Sequence, residues 1–184
     1  MIPLDRGARA GALLRRRTEP PLWEFGDLLI RRYHPAELDT VLTLHRDGLA
    51  QVGLQPGDGI YYEYDLFQME DLYLREGGEF LVGVLDIGEL VAMGGLRRFP
   101  GHSAKVGELV RLRVRPDLQR RGYGSALVMA LEERARELGY LMLRGDTTAY
   151  QQPALELYRG FGWRETRREV INGIVNIHIE KPLG

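Results

Sequence analysis

The stretch from Val106 to Tyr140 constrains the fold more than any other part of the chain, because it combines a strand, a glycine-containing loop and an amphipathic helix. Apolar and charged side chains alternate near the end of Val106–Val114, as in a half-buried strand. Pro116 ends this strand, since proline has no N–H for the ladder. A helix is predicted from about Ser125 to Leu138. Its apolar face carries Leu127, Val128, Leu131, Ala135 and Leu138.

The loop between this strand and helix runs from Gln119 to Ser125 and contains Gly122 and Gly124. Two glycines let the backbone turn tightly and expose consecutive N–H groups at the start of the helix. Such a helix N-terminus binds anions, so the loop predicts a phosphate or pyrophosphate site.

Three interpretations of the loop compete. A dinucleotide-binding fold also uses strand, loop and helix, and Asp146 lies at a plausible distance for its acidic residue. However, Leu127 stands where the third glycine should be, and an arginine-rich segment separates the strand from Gly122. The second interpretation is a loop that binds the pyrophosphate of an acyl-coenzyme A, and the third is a surface turn with solvated arginines.

Composition narrows the function classes. The chain has 184 residues, 44% of them hydrophobic and 28% charged, which suits one globular domain. The net charge of −1 implies no general affinity for nucleic acid or anionic membranes. The absence of cysteine excludes disulfides, a thiolate nucleophile and cysteine-based zinc sites, and it fits a cytoplasmic location. The four histidines lack metal-ligand spacing, so we expect no metal.

Residues 1–26 form an arginine-rich start that contains few acids. We expect a mobile or loosely packed extension here, with a targeting segment as the alternative. A single domain is then expected over residues 27–184.

Several further elements follow from local pattern. A strand over Leu28–Tyr33 precedes a helix that Pro35 opens. A hairpin over residues 80–99 and a final hairpin turning at Asn172-Gly173 are predicted. Between residues 48 and 65, tyrosines and three acids allow two interpretations: a loop whose aromatics pack on the core, or a substrate wall that attracts a cationic amine. The three acids are Asp58, Glu63 and Asp65.

A second motif lies between Gln151 and Trp163, where an alanine stands three residues before Leu157-Tyr158 and a Phe-Gly-Trp segment ends the helix. Together with the fixed residues Gln119, Gly122 and Gly124 of the loop, it resembles the signatures of the GNAT superfamily of N-acetyltransferases. The resemblance covers roughly residues 80–181. It implies an α/β (α+β) fold with a mixed, mostly antiparallel sheet flanked by helices and with splayed central parallel strands.

The resemblance also assigns a site for acetyl-CoA. Backbone groups of Leu112 and Val114 would hold the pantetheine arm and thioester. Gln151 stands where many members have an asparagine that contacts the cofactor, so the amide is kept. The implied pyrophosphate cradle is Gln119, Arg120, Arg121, Gly122, Tyr123, Gly124 and Ser125.

Two catalytic roles complete the expectation. Tyr158 resembles the general acid of the family and would also contact the cofactor, while its alternative role is packing. Glu108 is the candidate base, and its alternative is a structural or solvated carboxylate. The expected reaction is transfer of an acetyl group from acetyl-CoA to a primary amine of a small molecule. A catalytically silent acyl-CoA sensor and a protein or peptide N-acetyltransferase are the alternatives, and the oligomeric state stays open between monomer and homodimer.

Overall fold

The computed structural model describes residues 11–59, 61–75 and 77–184. Its strands are β1 Leu14–Arg16, β2 Leu22–Phe25, β3 Leu28–Arg32, β4 Glu79–Leu85, β5 Leu90–Arg98, β6 Val106–Val114, β7 Met142–Thr148, β8 Arg164–Ile171 and β9 Ile174–Pro182. Its α-helices are α1 Leu38–Ala50, α2 Tyr123–Glu137 and α3 Gln152–Gly160. Short helical turns cover Pro35–Glu37, Leu66–Gln68, Glu70–Leu74 and Pro116–Leu118.

In this part of the chain the strands form one sheet in the order β1-β2-β3-β4-β5-β6-β7-β9-β8. Every neighbouring pair is antiparallel except β6 and β7, which are parallel and are joined through α2. The predicted mixed, mostly antiparallel sheet with a central parallel pair is therefore confirmed.

Two apolar clusters cover the two faces of the sheet. On one face, α2 buries the predicted stripe of Leu127, Val128, Leu131 and Ala135, and α3 packs beside it through Leu155. On the other face, α1 and the turns over residues 66–74 pack on β4 and β5. The sheet is thus the middle layer of a three-layer α/β/α arrangement.

The expected extension over residues 1–26 is wrong for its second half. β1 pairs with β2, and β2 pairs with β3, so Leu14–Arg16 and Leu22–Phe25 belong to the sheet. Trp23 is fully buried and Phe25 nearly so. The many arginines of this segment hid its strands from the sequence analysis. One of them, Arg15, lies 4.7 Å over the Trp23 ring and pairs with Glu137. The expectations for residues 1–10 lie outside the described residues.

The parallel strand β7 is longer than the predicted Leu141–Arg144. Its extra residues are mostly polar, which hid the strand from periodicity, but their backbone pairs with β9 at Asp146↔His178 and Thr148↔Asn176. This extension places Asp146 on a central strand rather than in a loop.

The predicted hairpins are confirmed. The last one turns at Asn172 and Gly173, which both have positive φ. Gly94 and Gly95 allow close packing, because a Cβ would lie 2.6 Å from Leu131 and 2.8 Å from Tyr73, respectively. Among the described helices, none combines the length and apolar character needed to cross a membrane.

Candidate active site

The two parallel strands separate partway along their length. β6 and β7 pair at Val106↔Met142, Gly107↔Leu143 and Glu108↔Arg144, and this register stops there although both strands continue. The separation opens a space in the middle of the sheet, which α3 borders from one side. The predicted splay is therefore present.

A bulge in β6 lies at the edge of this space. Between the pairs Gly95↔Val110 and Met93↔Arg113, β6 advances by three residues and β5 by two, and Arg111 has a φ of 60°. Positive φ is unfavourable for a residue other than glycine. Arg111 therefore needs contacts with other parts of the chain that hold its backbone in this conformation. The sequence pattern treated this strand as regular and missed the bulge.

Asp65 supplies that support. Its carboxylate binds the Arg111 guanidinium at 2.7 and 3.1 Å, and it also accepts a 2.5 Å hydrogen bond from Tyr73. Although burial opposes ionisation of Asp65, the contact with Arg111 lowers its pKa. Arg111 also binds the carbonyl of Tyr62. The segment before Leu66 is thereby fixed over β6.

Of the two interpretations of residues 48–65, a substrate wall with free acids is wrong, although one tyrosine of this segment faces the space. Tyr61 lines the space between the strands. Asp65 is instead paired with Arg111, Glu63 with Arg46 at 2.7 Å, and Asp58 accepts a hydrogen bond from the backbone of Gln55. These carboxylates stabilise the segment and do not face the cavity as free charges.

A groove leads from the splay to the predicted loop, and we call it the cofactor groove. The end of α1 forms its other wall through Gly48, Gln51 and Val52. Gln119 braces the loop, since its amide exchanges hydrogen bonds of 2.9 and 3.0 Å with Gln51 and donates to the Val114 carbonyl at 3.1 Å. Other lining residues are Leu112, Val114, Arg120, Gly122, Tyr123, Gly124, Ser125, Gln151 and Leu157.

The loop has the geometry of an anion site. Arg120 and Gly122 have positive φ, and Gly122 is the N-cap of α2. The first hydrogen bond of the helix runs from the Ala126 N–H to the Gly122 carbonyl, so the amides of residues 123–125 precede the helical series. A Cβ at Gly124 would lie 3.2 Å from Leu157 in the groove wall. Such backbone suits a phosphate or pyrophosphate.

The side chains of the loop play different parts. Arg120 and Arg121 are exposed. Tyr123 is buried, and its phenol donates a 2.8 Å hydrogen bond to Asp27. The side chain of Gln119 likewise binds protein groups, at Gln51 and Val114.

A polar cluster marks the junction between the groove and a second space. Gln151 donates to the Tyr61 hydroxyl at 2.9 Å, and its carbonyl oxygen lies 3.5 Å from Nη1 of Arg113. Arg113 also lies over the Tyr61 ring at 5.5 Å. Both Gln151 and Arg113 line the two spaces. Arg113 was not predicted as a site residue.

The second space is a cavity of about 220 Å³ between β6 and β7, which we call the acceptor cavity. Two carboxylates line it. Glu108, the predicted base, pairs with Arg97 at 2.8 Å. Asp146 faces the same cavity, and burial together with the nearby Glu108 raises its pKa above the usual range. Sequence reasoning considered Asp146 only for a dinucleotide fold.

Tyr158 lines the acceptor cavity from α3 and packs against Trp163 with ring centroids 5.2 Å apart. Burial raises the pKa of its phenol far above the usual value, although Arg113 opposes the rise. The phenol is therefore protonated at neutral pH and is available as a hydrogen-bond or proton donor.

Comparison with known proteins gives a consistent picture. The model of the acetyltransferase (GNAT) family matches residues 46–163. The chain is similar to YjgM of Escherichia coli (strain K12), an uncharacterized N-acetyltransferase, with 25% identity over 136 residues that cover 73% of this chain and 81% of that protein.

Two solved structures show the shared fold at low sequence identity. A GNAT acetyltransferase from Staphylococcus aureus Mu50 aligns with a TM-score of 0.74 and 17% identity, covering 85% of this chain and 99% of that one. A phosphinothricin acetyltransferase from Sinorhizobium meliloti, solved with AcCoA, aligns with a TM-score of 0.69 and 16% identity, covering 86% and 89%.

Proposed function

The chain belongs to the acetyltransferase (GNAT) family and is an acyltransferase, and we propose that it moves an acetyl group from acetyl-CoA to a primary amine of a small molecule. The observation that carries the proposal is the splay of β6 and β7, where a groove with an anion-binding loop meets a cavity that contains carboxylates and Tyr158.

The cofactor groove fits acetyl-CoA, which supplies an acetyl group already activated as a thioester. The amides of residues 123–125 would bind the pyrophosphate, with Arg120 and Arg121 adding positive charge. Backbone groups of Leu112 and Val114 would hold the pantetheine arm, and Gln151 would contact it at the junction.

Proton removal from the acceptor ammonium is assigned to the two carboxylates of the acceptor cavity. Glu108 is held by Arg97, while the pKa of Asp146 is raised toward the range in which a general base works best. We therefore propose that Asp146 removes the proton from the acceptor ammonium. The negative charge of the neighbouring Glu108 makes Asp146 a stronger base.

The remaining tasks fall to the bulge and to Tyr158. As the N–C bond forms and the C–S bond breaks, the backbone N–H of Leu112 would stabilise charge on the carbonyl oxygen, because Leu112 lies in the part of β6 outside the register with β5. The Tyr158 hydroxyl would then give its proton to the departing sulfur. Positioning of the two reactants supplies much of the rate.

The size of the acceptor cavity supports a small acceptor. A volume of about 220 Å³ suits a compact acceptor, and the Asp65–Arg111 ion pair fixes the neighbouring segment. A cytoplasmic location and a homodimer stay predictions.

The test is a turnover screen with acetyl-CoA and a panel of primary amines. Release of the CoA thiol and a gain of one acetyl group by an amine, measured by mass spectrometry, are the expected results. Acetyl-CoA binding without thiol release for any amine would contradict the proposal and indicate a sensor. Acetylation of peptides in preference to every small amine would contradict the small-molecule assignment.

A further inference from the structure

Three arginines line the acceptor cavity, but their environments differ. Arg97 pairs with Glu108 at 2.8 Å, and Arg111 pairs with Asp65 at 2.7 Å. Arg113 has no carboxylate partner among the residues that the structure describes. The cavity therefore contains one guanidinium that no carboxylate of the described chain contacts.

The guanidinium of Arg113 makes few hydrogen bonds within the described chain. Nη1 donates to the Leu112 carbonyl at 3.1 Å and has a long contact of 3.5 Å with Gln151. Nε is buried without an acceptor within the described chain. Burial lowers the pKa of this guanidinium, which is the physical sign of a cation that lacks compensation.

The charged groups of the cavity wall suit an acceptor that carries both signs of charge. Glu108 is paired with Arg97, whereas Asp146 and Arg113 line the same cavity and neither forms an ion pair within the described chain. A purely cationic acceptor would add a further positive charge close to Arg113. A group with negative charge would balance the charge of Arg113.

We infer that the acceptor amine also carries an anionic group, a carboxylate or a phosphonate, and that Arg113 binds this group at the junction of the groove and the cavity. The inference rests on the proposed acetyl transfer and specifies its substrate class. A guanidinium suits this role because its planar set of donors matches two oxygens of a carboxylate or phosphoryl group.

The position of Arg113 also limits the length of the acceptor. Arg113, Asp146 and Tyr158 all line the same cavity of about 220 Å³. An anion bound at Arg113 and an amine facing Asp146 must therefore both fit within this cavity. This limit favours compact acceptors in which few bonds separate the amine from the anion, such as amino acids and aminophosphonates.

The experiment uses acceptors in matched sets: an amino acid, its carboxamide, the corresponding amine without the carboxyl group, and the corresponding aminophosphonate. The value of kcat/KM is measured for the wild type, Arg113→Gln, Arg113→Lys and the control Arg115→Gln. Arg115 lies two residues along the chain, pairs with Glu89 and Asp117, and lines neither space.

For the wild type, we expect a preference for anionic acceptors over the carboxamide of roughly tenfold to a hundredfold, the usual value of a charge-assisted hydrogen bond. Arg113→Gln should abolish this preference, Arg113→Lys should keep part of it, and Arg115→Gln should keep all of it. The affinity for acetyl-CoA, measured by calorimetry, should be unchanged in each variant and also shows that the variants fold.

Two results would overturn the inference while leaving acetyl transfer intact. One is a wild type that acetylates the neutral-tailed amines as well as the anionic ones. The other is an Arg113→Gln variant that loses acetyl-CoA affinity but keeps its acceptor preference, since Arg113 would then serve the cofactor. Failure of the proposed function would differ from both, because no amine would be acetylated at all.

Discussion

The cofactor groove and the acceptor cavity share β6 as a wall, yet they are built from different parts of the chain. The groove presents backbone: the bulge at Leu112, the end of β6 and the amides of residues 123–125. The cavity presents charged side chains from β6 and β7, together with Tyr158 from α3. Changes in the groove should therefore alter cofactor binding, whereas changes in the cavity should alter the chemical step.

The largest expected effect is in the cavity, at Asp146. Asp146→Asn keeps the shape of the side chain but removes the base, and loss of general base catalysis costs about 100- to 10,000-fold in kcat. Glu108→Gln should cost less, because Glu108 is already committed to Arg97. Asp71→Asn, a change at an exposed carboxylate paired with Arg75, is the control and should leave kcat unchanged.

The pH profile gives the same assignment a second test. The base must be deprotonated to act, and burial and Glu108 raise the pKa of Asp146. Activity should therefore fall as the pH decreases through this raised value, at a higher pH than for an ordinary aspartate. His178, Arg111 and Arg97 also act on Asp146 and limit the rise. A profile that is the same in Asp146→Asn and the wild type would assign the base elsewhere.

The next largest effect is expected at Tyr158. Tyr158→Phe keeps the ring and its packing on Trp163 but removes the hydroxyl, so kcat should fall about a hundredfold while acetyl-CoA affinity stays nearly constant. Tyr158→Ala is the matched comparison, since it also removes the packing. If only the alanine variant is impaired, Tyr158 is a packing residue and the acid role is wrong.

A smaller effect, and one on binding, is expected in the groove. In Gly124→Val the new side chain would press on Leu157 and Val114 in the groove wall. Loss of one charge-assisted backbone contact should weaken acetyl-CoA binding by roughly tenfold to a hundredfold. Gly160→Val is the control glycine, because its Cβ would meet no atom within 4 Å. Equal affinities of both variants and the wild type would show that the loop is only a turn.

The smallest effect concerns the choice of ligand for the groove. Acetyl-CoA at about 100 times its Kd should stabilise the fold by about 2.7 kcal/mol, which corresponds to a rise in Tm of roughly 5–10 °C. NAD and NADP should give no shift, since Leu127 occupies the position of the third glycine of a dinucleotide loop. An equal shift with NAD would contradict the assignment of the groove.

The contrast between the two regions also explains what the sequence could predict. The groove depends on local features, such as glycine positions, a helix start and strand alternation. All of these lie within the 35 consecutive residues from 106 to 140. Of the predicted residues Gln119 to Ser125, all except Arg121 accordingly line the groove. The same local logic identified α2 and both hairpins, whereas the parallel pair was expected from the resemblance to the GNAT superfamily.

The cavity depends on contacts between distant residues, which no local pattern records. The bulge at Arg111 is supported by Asp65, 46 positions earlier in the chain. Asp146 belongs to a strand only because its backbone pairs with His178. Arg113 differs from Arg111 and Arg97 only in lacking a carboxylate partner in the described chain, and pairing of this kind is decided by tertiary structure.

The most direct test of the account is a cross-comparison of Gly124→Val and Asp146→Asn. For each variant, the Kd of acetyl-CoA and the single-turnover rate of acetyl transfer at saturating acetyl-CoA are measured with the best acceptor from the amine screen. The account predicts that Gly124→Val weakens binding with a nearly normal rate, and that Asp146→Asn binds normally with a rate reduced about a hundredfold or more. Loss of binding in Asp146→Asn together with a normal rate would contradict the division between groove and cavity.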